Sequence, residues 1–182
     1  MADPHPHVYF GDRLVPAAEA TLGVATSAVL YGLSVYTVFP VHVDAGVRSA
    51  FRLRDHYRRL VESCRIIGID RFAHEWSFDR FVAVAGELVA ANAPTSDVFV
   101  RATVHVDESI PGTRVRGCRT VVSMFVYDAV PIVPQDGMRL GTSTWRRIPD
   151  YAIPSRAKVN GAYVNSVLAK QGAIDAGYDD AI

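Results

Sequence analysis

The sequence predicts an α+β protein. Three observations predict it: one strongly alternating segment, two segments of helical period, and a change of texture near residue 130. In Asp97–Asp107, Val98, Val100, Ala102, Val104 and Val106 alternate with Phe99, Arg101, Thr103 and His105, the period of a half-buried strand. Tyr57, Leu60, Val61, Cys64 and Ile67 recur at helical spacing, with Asp55 as the expected N-cap and Gly68 as the stop. Ser77 opens a second helix whose expected inner face is Phe78, Phe81, Val82, Ala85, Leu88 and Val89, and Asn92 and Pro94 end it. Val130–Gly137 holds two prolines and a glycine with no helical period, the composition of a linker.

The remaining elements fill in around these. Val8–Phe10 and Arg13–Val15 flank Gly11-Asp12 as a small hairpin. Thr21–Leu30 is mostly small and apolar and ends at Tyr31-Gly32. Ser34–Val43 is rich in Val, Tyr, Thr and Phe and predicts a strand despite Pro40. Asp44-Ala45-Gly46 turns it into a partner strand expected over Val47–Leu53. A Ser109–Thr113 loop leads to a strong strand over Arg119–Tyr127. The expected organisation is a small α+β domain over residues 1–128, with an antiparallel sheet and two helices, then a linker over 129–137. Residues 138–182 add a strand over Met138–Trp145, a polar loop, and a helix from about Gly161 to near Gly177 with Val164, Val167, Leu168 and Ile174 on its apolar side. One strand and one helix cannot bury a domain core, so this segment reads as the first part of a second domain that is cut short.

Composition excludes several function classes. The 182 residues carry 19 acids and 19 bases, which removes any electrostatic case for nucleic acid or an anionic membrane. No apolar run approaches the ~20 residues that would span a bilayer, and Met-Ala-Asp-Pro-His-Pro-His has no signal-peptide pattern. Cys64 and Cys118 are far apart in apolar patterns, which predicts buried free thiols in a reducing compartment rather than a disulfide. With the six histidines they give no metal-ligand spacing. The expectation is a soluble, cytoplasmic globular protein with no nucleic-acid or membrane partner.

Ser155-Arg156-Ala157-Lys158-Val159-Asn160-Gly161-Ala162-Tyr163-Val164-Asn165-Ser166 is the stretch where chemistry is expected. Lys158 has Gly, Ala, Asn and Tyr as neighbours and no acid within the seven positions after it. That setting suits an amine meant to lose its proton and act as nucleophile or base. An ordinary loop lysine is the competing reading.

Trp145-Arg146-Arg147, Ile153–Lys158 and Gly161–Ser166, closing on Ala176–Ile182, resemble the lysine segment of the branched-chain aminotransferases, members of the class IV group of pyridoxal-phosphate enzymes. Leu30–Tyr36, Phe51–Leu60 and Phe99-Val100-Arg101 resemble three further segments of that family, in the same order and at similar spacing. The resemblance implies fold type IV: a small α+β domain, a short interdomain loop and a larger barrel-like α/β domain, with pyridoxal 5'-phosphate in the cleft between them. It also implies a homodimer in amino-acid biosynthesis that moves the amino group of a hydrophobic, branched-chain L-amino acid to 2-oxoglutarate.

On this resemblance Lys158 would hold the cofactor as a Schiff base and shuttle a proton. Arg59 would grip the cofactor phosphate, although Asp55 or Glu62 could instead hold it as a surface pair, and Arg58 is the better candidate for pairing with Glu62. Tyr163 would lie near the cofactor ring oxygen, the alternative being an amphipathic helix residue with a solvated hydroxyl. Tyr31 and Arg101 would lie at the substrate pocket, Arg101 facing the α-carboxylate. Two departures stand out. Tyr36-Thr37-Val38 replaces an aromatic-acid-glycine run, which keeps D-amino-acid aminotransferase and aminodeoxychorismate lyase activities open. The family's acid against the pyridine nitrogen has no counterpart, since Asp175, Asp179 and Asp180 are the only acids after Lys158 and match no such role. A non-catalytic chain acting through association is the reading from another class.

Overall fold

The computed structural model describes residues 3–110, 112–131 and 133–182. Met1-Ala2 at the N-terminus, Pro111 of the 109–113 loop and Ile132 of the linker lie outside the described residues. The chain runs through β1 (His7–Phe10), β2 (Arg13–Pro16), α1 (Ser27–Leu30), β3 (Ser34–Asp44), β4 (Val47–Ala50), α2 (Leu53–Ile67), α3 (Phe72–Glu75), α4 (Phe78–Asn92), β5 (Val98–Val106) and β6 (Thr120–Asp128). These strands form one six-stranded sheet in the order β2-β1-β6-β5-β3-β4, with every pairing antiparallel. With helices segregated on the sheet, this is the expected α+β architecture. No helix among the described residues is long and apolar enough to cross a membrane.

The alternation of β5 decides which face is covered. Val98, Val100, Ala102, Val104 and Val106 are fully buried, alongside Val35, Phe39 and Val41 of β3 and Val122, Met124 and Val126 of β6. Leu60 and Cys64 of α2 and Phe81, Ala85 and Leu88 of α4 pack into the same cluster. Each large side chain buried there contributes roughly 1.5–3 kcal/mol. The opposite face carries Tyr36 of β3, Phe99, Arg101, Thr103 and His105 of β5, and Phe125 and Tyr127 of β6, as cross-strand register requires.

Pro40 is accommodated inside β3 because of where β4 stops. β4 pairs only with Val41–Asp44, and the Pro40 carbonyl on that side takes the N–H of Phe51 at 3.2 Å. The missing N–H of Pro40 faces the same side, beyond the ladder, so no strand bond is lost. Residues 34–40 of β3 thus keep an edge that β4 does not cover.

Several boundaries differ from expectation. β4 ends at Ala50, because Arg52 adopts a left-handed conformation (φ 49°) that turns the chain into α2 at Leu53. Asp55 is therefore in the first turn of α2 and not its cap; its carboxylate pairs with Arg52 at 2.6 Å and favours the helix N-terminus. Gly68 ends α2 in the left-handed region, and the Ser77 hydroxyl accepts from the Arg80 N–H, both as expected. On α4, Val84 is buried in place of Val82, which is exposed.

Beyond residue 137 the elements are sparse: β7 (Leu140–Gly141), α5 (Tyr163–Asp175) and β8 (Asp180–Ala181). β7 is far shorter than the strand expected over Met138–Trp145, and it pairs in parallel with β8, a strand the sequence pattern missed. Parallel pairing needs a crossover, which α5 supplies. Gly141 is required there, because a side chain would come within 2.7 Å of the Tyr178 ring. Of the α5 residues only Ala173 is buried; Val164, Val167, Leu168 and Ile174, its expected apolar side, are exposed.

Candidate active site

Lys158 is anchored to the uncovered edge of β3. The Tyr36 N–H donates to the Lys158 carbonyl at 3.0 Å, the Asn160 N–H donates to the Ser34 carbonyl at 2.9 Å, and Val35 and Val159 form an antiparallel bridge. A third tie comes from α2. The fully buried Ser63 hydroxyl accepts the Lys158 N–H at 3.1 Å and donates to the Arg59 carbonyl at 2.8 Å. Further along, Gly161 passes so close to Gly32 that a side chain at Gly32 (φ +64°) would come within 2.8 Å of the Gly161 Cα. The segment bearing the lysine is thereby fixed to the sheet and to α2.

Tyr163 opens α5, its N–H donating to the Asn160 carbonyl at 3.0 Å. The Lys158 Nζ lies 5.4 Å from the Tyr163 ring centroid and 5.6 Å from that of Tyr36, and the two rings are 5.6 Å apart. A cavity of about 160 Å³ opens beside Lys158, lined among others by Arg147, Ser155, Tyr163, Asn165 and Ser166. Asn165 accepts the Ile148 N–H and donates to the Arg146 carbonyl, tying that wall to α5.

Two arginines approach from opposite faces of the sheet. Arg101, on the open face, stacks its guanidinium 3.7 Å from the Tyr36 ring centroid and donates to the Asn160 Oδ1 at 2.7 Å. Arg59 reaches the Thr37 hydroxyl from α2 at 2.8 Å, with the His56 Nδ1 at 3.5 Å. The carboxylates that could have neutralised Arg59 are otherwise engaged: Asp55 pairs with Arg52, and Glu62 pairs with Arg65 at 2.6 Å rather than with Arg58. Among the described residues no ion pair involves Lys158, Arg59 or Arg101.

Titration follows from this arrangement. Burial, a hydrogen bond with Tyr163 and the Tyr163 charge raise the Tyr36 phenol, outweighing Arg101 and Arg59. Burial also pushes the Tyr163 phenol up, but hydrogen bonds with Lys158 and Tyr36 and the charges of Lys158 and Arg101 bring it below its ordinary value. Burial and the Arg59 charge lower His56. His105, hydrogen-bonded to Ser123 at 2.9 Å, is lowered to about 4 by burial and by Arg101. Cations left without a carboxylate partner, beside two phenols and an amine, suit an anion.

Lys158, Tyr163 and Arg101 therefore meet around Tyr36, and Arg59 joins from the helix side through Thr37. Tyr31 is 44% exposed, and its carbonyl lies beside Gly161. Ser63, Thr37 and Asn160 were missed as site residues. Ser63 had a signal, being a polar residue one turn after Arg59 on the buried side of α2. The three acids after Lys158 are engaged away from it: Asp175 accepts from Gln171, Asp179 pairs with Arg139, and Asp180 with Lys170. Lys158 and Lys170 are the only lysines of the chain.

Residues 34–182, which include Arg59, Arg101, Lys158 and Tyr163, match the sequence model of amino-transferase class IV. The chain belongs to this family. Among class IV relatives, a probable branched-chain-amino-acid aminotransferase of Aquifex aeolicus is 28% identical over 177 residues, covering 96% of this chain and 56% of the relative. That of Synechocystis sp. is 29% identical over 180 residues, covering 97% of this chain and 57% of the relative. The branched-chain aminotransferase of Thermoproteus uzoniensis, solved with norvaline, superposes with a TM-score of 0.89 at 28% identity, covering 98% of this chain and 59% of that one. The branched-chain amino acid aminotransferase of Thermobaculum terrenum, solved in its PLP-form, gives 0.85 at 26% identity over 98% and 58%. The chain thus spans under three-fifths of the length of these class IV proteins.

Proposed function

We propose that this chain carries the cofactor lysine of a pyridoxal-phosphate-dependent aminotransferase acting on hydrophobic, branched-chain L-amino acids with 2-oxoglutarate as acceptor. The observation that carries the reading is the cluster of Lys158, Arg59 and Arg101 around Tyr36 and Thr37 with no carboxylate paired to any of them. Such a donor set fits a phosphorylated aldehyde: an amine to bond its carbon, a guanidinium for its phosphate, and a second guanidinium for a substrate carboxylate. When bound, pyridoxal phosphate supplies the electron sink that makes the amino acid's Cα proton labile. Lys158 Nζ would hold the cofactor covalently and, when free, would accept and return that proton. Arg59, steadied by Thr37, would hold the phosphate. The Tyr163 phenol would donate to the cofactor ring oxygen, Arg101 would orient the substrate carboxylate, and Tyr31 would take its place at the substrate side.

In this reading residues 1–128 are the small domain, 129–137 the linker, and 138–182 the first part of the large domain. Val24, Val29, Leu30, Tyr31 and Ile110 are exposed apolar residues, the Ile110 N–H donating to the Ala25 carbonyl, and they suit a homodimer contact. The buried, unpaired Cys64 and Cys118 suit the cytoplasm.

The protein mixed with pyridoxal phosphate is expected to develop a visible absorption band that Lys158→Ala lacks. Hydrophobic L-amino acids are expected to discharge it faster than D-amino acids. An equal band in Lys158→Ala overturns the lysine assignment, and faster discharge by D-amino acids overturns the substrate reading.

A further inference from the structure

We propose that Asn160 is a positioning residue that locks the Arg101 guanidinium into a seat for a small-molecule carboxylate beside Lys158; its catalytic meaning rests on the aminotransferase reading above. All four polar groups of Asn160 are committed. Its N–H donates to the Ser34 carbonyl at 2.9 Å and its carbonyl accepts the Tyr163 N–H at 3.0 Å. Its Oδ1 accepts from Arg101 at 2.7 Å, and its Nδ2 donates to the Ser34 Oγ at 2.6 Å. The amide orientation is dictated by chemistry, because a guanidinium can only donate. Asn160 thereby joins the strand that anchors Lys158, the first residue of α5 and the cation of the open sheet face.

The consequence falls on Arg101. A free arginine samples many rotamers, and ordering it on a ligand costs affinity. Here stacking on Tyr36 sets the plane of the guanidinium, and Asn160 sets its rotation within that plane. Asn160 is a neutral acceptor, so it fixes the cation without neutralising it, and Arg101 has no carboxylate partner. Of its five N–H groups, Asn160 takes one, and no other acceptor among the described residues holds Arg101. A planar fork held this way matches a carboxylate.

The test uses 4-methylpentanoate, a carboxylate with no amine to react, titrated calorimetrically into the full chain with and without pyridoxal phosphate. Asn160→Ala is expected to weaken binding about tenfold, the usual effect of losing a charge-assisted hydrogen bond. Asn160→Asp is expected to weaken it further. The new carboxylate keeps the contact with Arg101, and the Ser34 hydroxyl can turn to donate to it, but the charge that should meet the ligand is spent internally. Arg101→Lys sets the floor. A merely structural Asn160 would instead give equal affinity losses in both variants, tracking their loss of melting temperature. Wild-type affinity in Asn160→Asp, or a wild type that binds no better than Arg101→Lys, overturns the inference. Should Asn160→Ala fail to fold, Asn160→Asp against Arg101→Lys still decides. A protein that keeps this ranking yet never takes up pyridoxal phosphate supports the inference and overturns the function proposed above.

Discussion

Helices α4 and α5 are of similar length, 15 and 13 residues, yet they occupy opposite settings. α4 turns Phe81, Val84, Ala85, Leu88 and Val89 into the six-stranded sheet and buries all five. α5 leaves Val164 and Val167 more than 60% exposed, and its neighbouring sheet is a single parallel pair of two-residue strands. An apolar stripe is buried only when a second layer is there to receive it. Lys158 lies between these two regions, and its ties run to the well-packed one: to Ser34 and Tyr36 of β3 by way of its own segment, and to Ser63 of α2. The geometry of the candidate site is thus held by the sheet and α2 more than by the helix that follows the lysine.

The largest effect expected from this contrast is on stability. Phe39→Ala removes a fully buried ring packed on Phe81 and is expected to cost about 3–5 kcal/mol in denaturant unfolding. Val167→Ala on α5 is expected to stay within about 0.5 kcal/mol. Comparable losses would break the comparison.

Next comes a pH effect confined to the sheet. The folded state holds His105 at about 4 against an ordinary 6.5, through burial and the Arg101 charge, so it takes up a proton less readily than the unfolded chain. The resulting stability is fully present above about pH 6.5 and is lost as the pH falls towards 4, a span of roughly 3 kcal/mol. His105→Gln, which can still hydrogen-bond to Ser123, is expected to flatten that slope in unfolding curves measured from pH 7 to 4. An unchanged slope would show that other groups carry it.

Smaller still is the seam itself. Ser63→Ala leaves the Lys158 N–H without its acceptor, at a cost of about 1–3 kcal/mol. Amide exchange at Lys158 is expected to accelerate at least tenfold while β5 and β6 keep their protection; uniform acceleration would mean that Ser63 supports the whole fold instead. The smallest effect is chemical. Burial pushes the Cys64 thiol up to about 12, so a thiol reagent is expected to modify it only after unfolding. Rapid reaction in the native protein would contradict the packing of α2.

Much of the sheet was legible in the sequence because periodicity records burial. The β5 alternation named its buried face residue by residue, and Ser77 and Gly68 marked helix ends by their own chemistry. What failed was set by distant contacts. The start of α2 depends on a left-handed Arg52 that no pattern announces, and β8 is two residues long and exists only by pairing with β7. Lys158 stood out by its uncharged neighbourhood, whereas Arg59, Tyr163 and Arg101 were singled out only through the family segments. The convergence of Lys158, Tyr163 and Arg101 on Tyr36 depends on the register of β3 against β5 and on the bridge between Val35 and Val159, neither of which local sequence encodes. Asn160, two residues from Lys158, read only as a neutral neighbour, because its partners Ser34 and Arg101 lie 126 and 59 residues away along the chain.

The most direct measurement is borohydride reduction of the protein mixed with pyridoxal phosphate, followed by peptide mapping. The chain has two lysines, and Lys170 is exposed and paired with Asp180 at 3.1 Å, so it serves as an internal control. The expected result is one reduced adduct per chain on the peptide holding Lys158, abolished in Lys158→Ala and diminished in Arg59→Ala. An adduct shared equally with Lys170, or none at all, would contradict the assignment of Lys158 as the cofactor lysine.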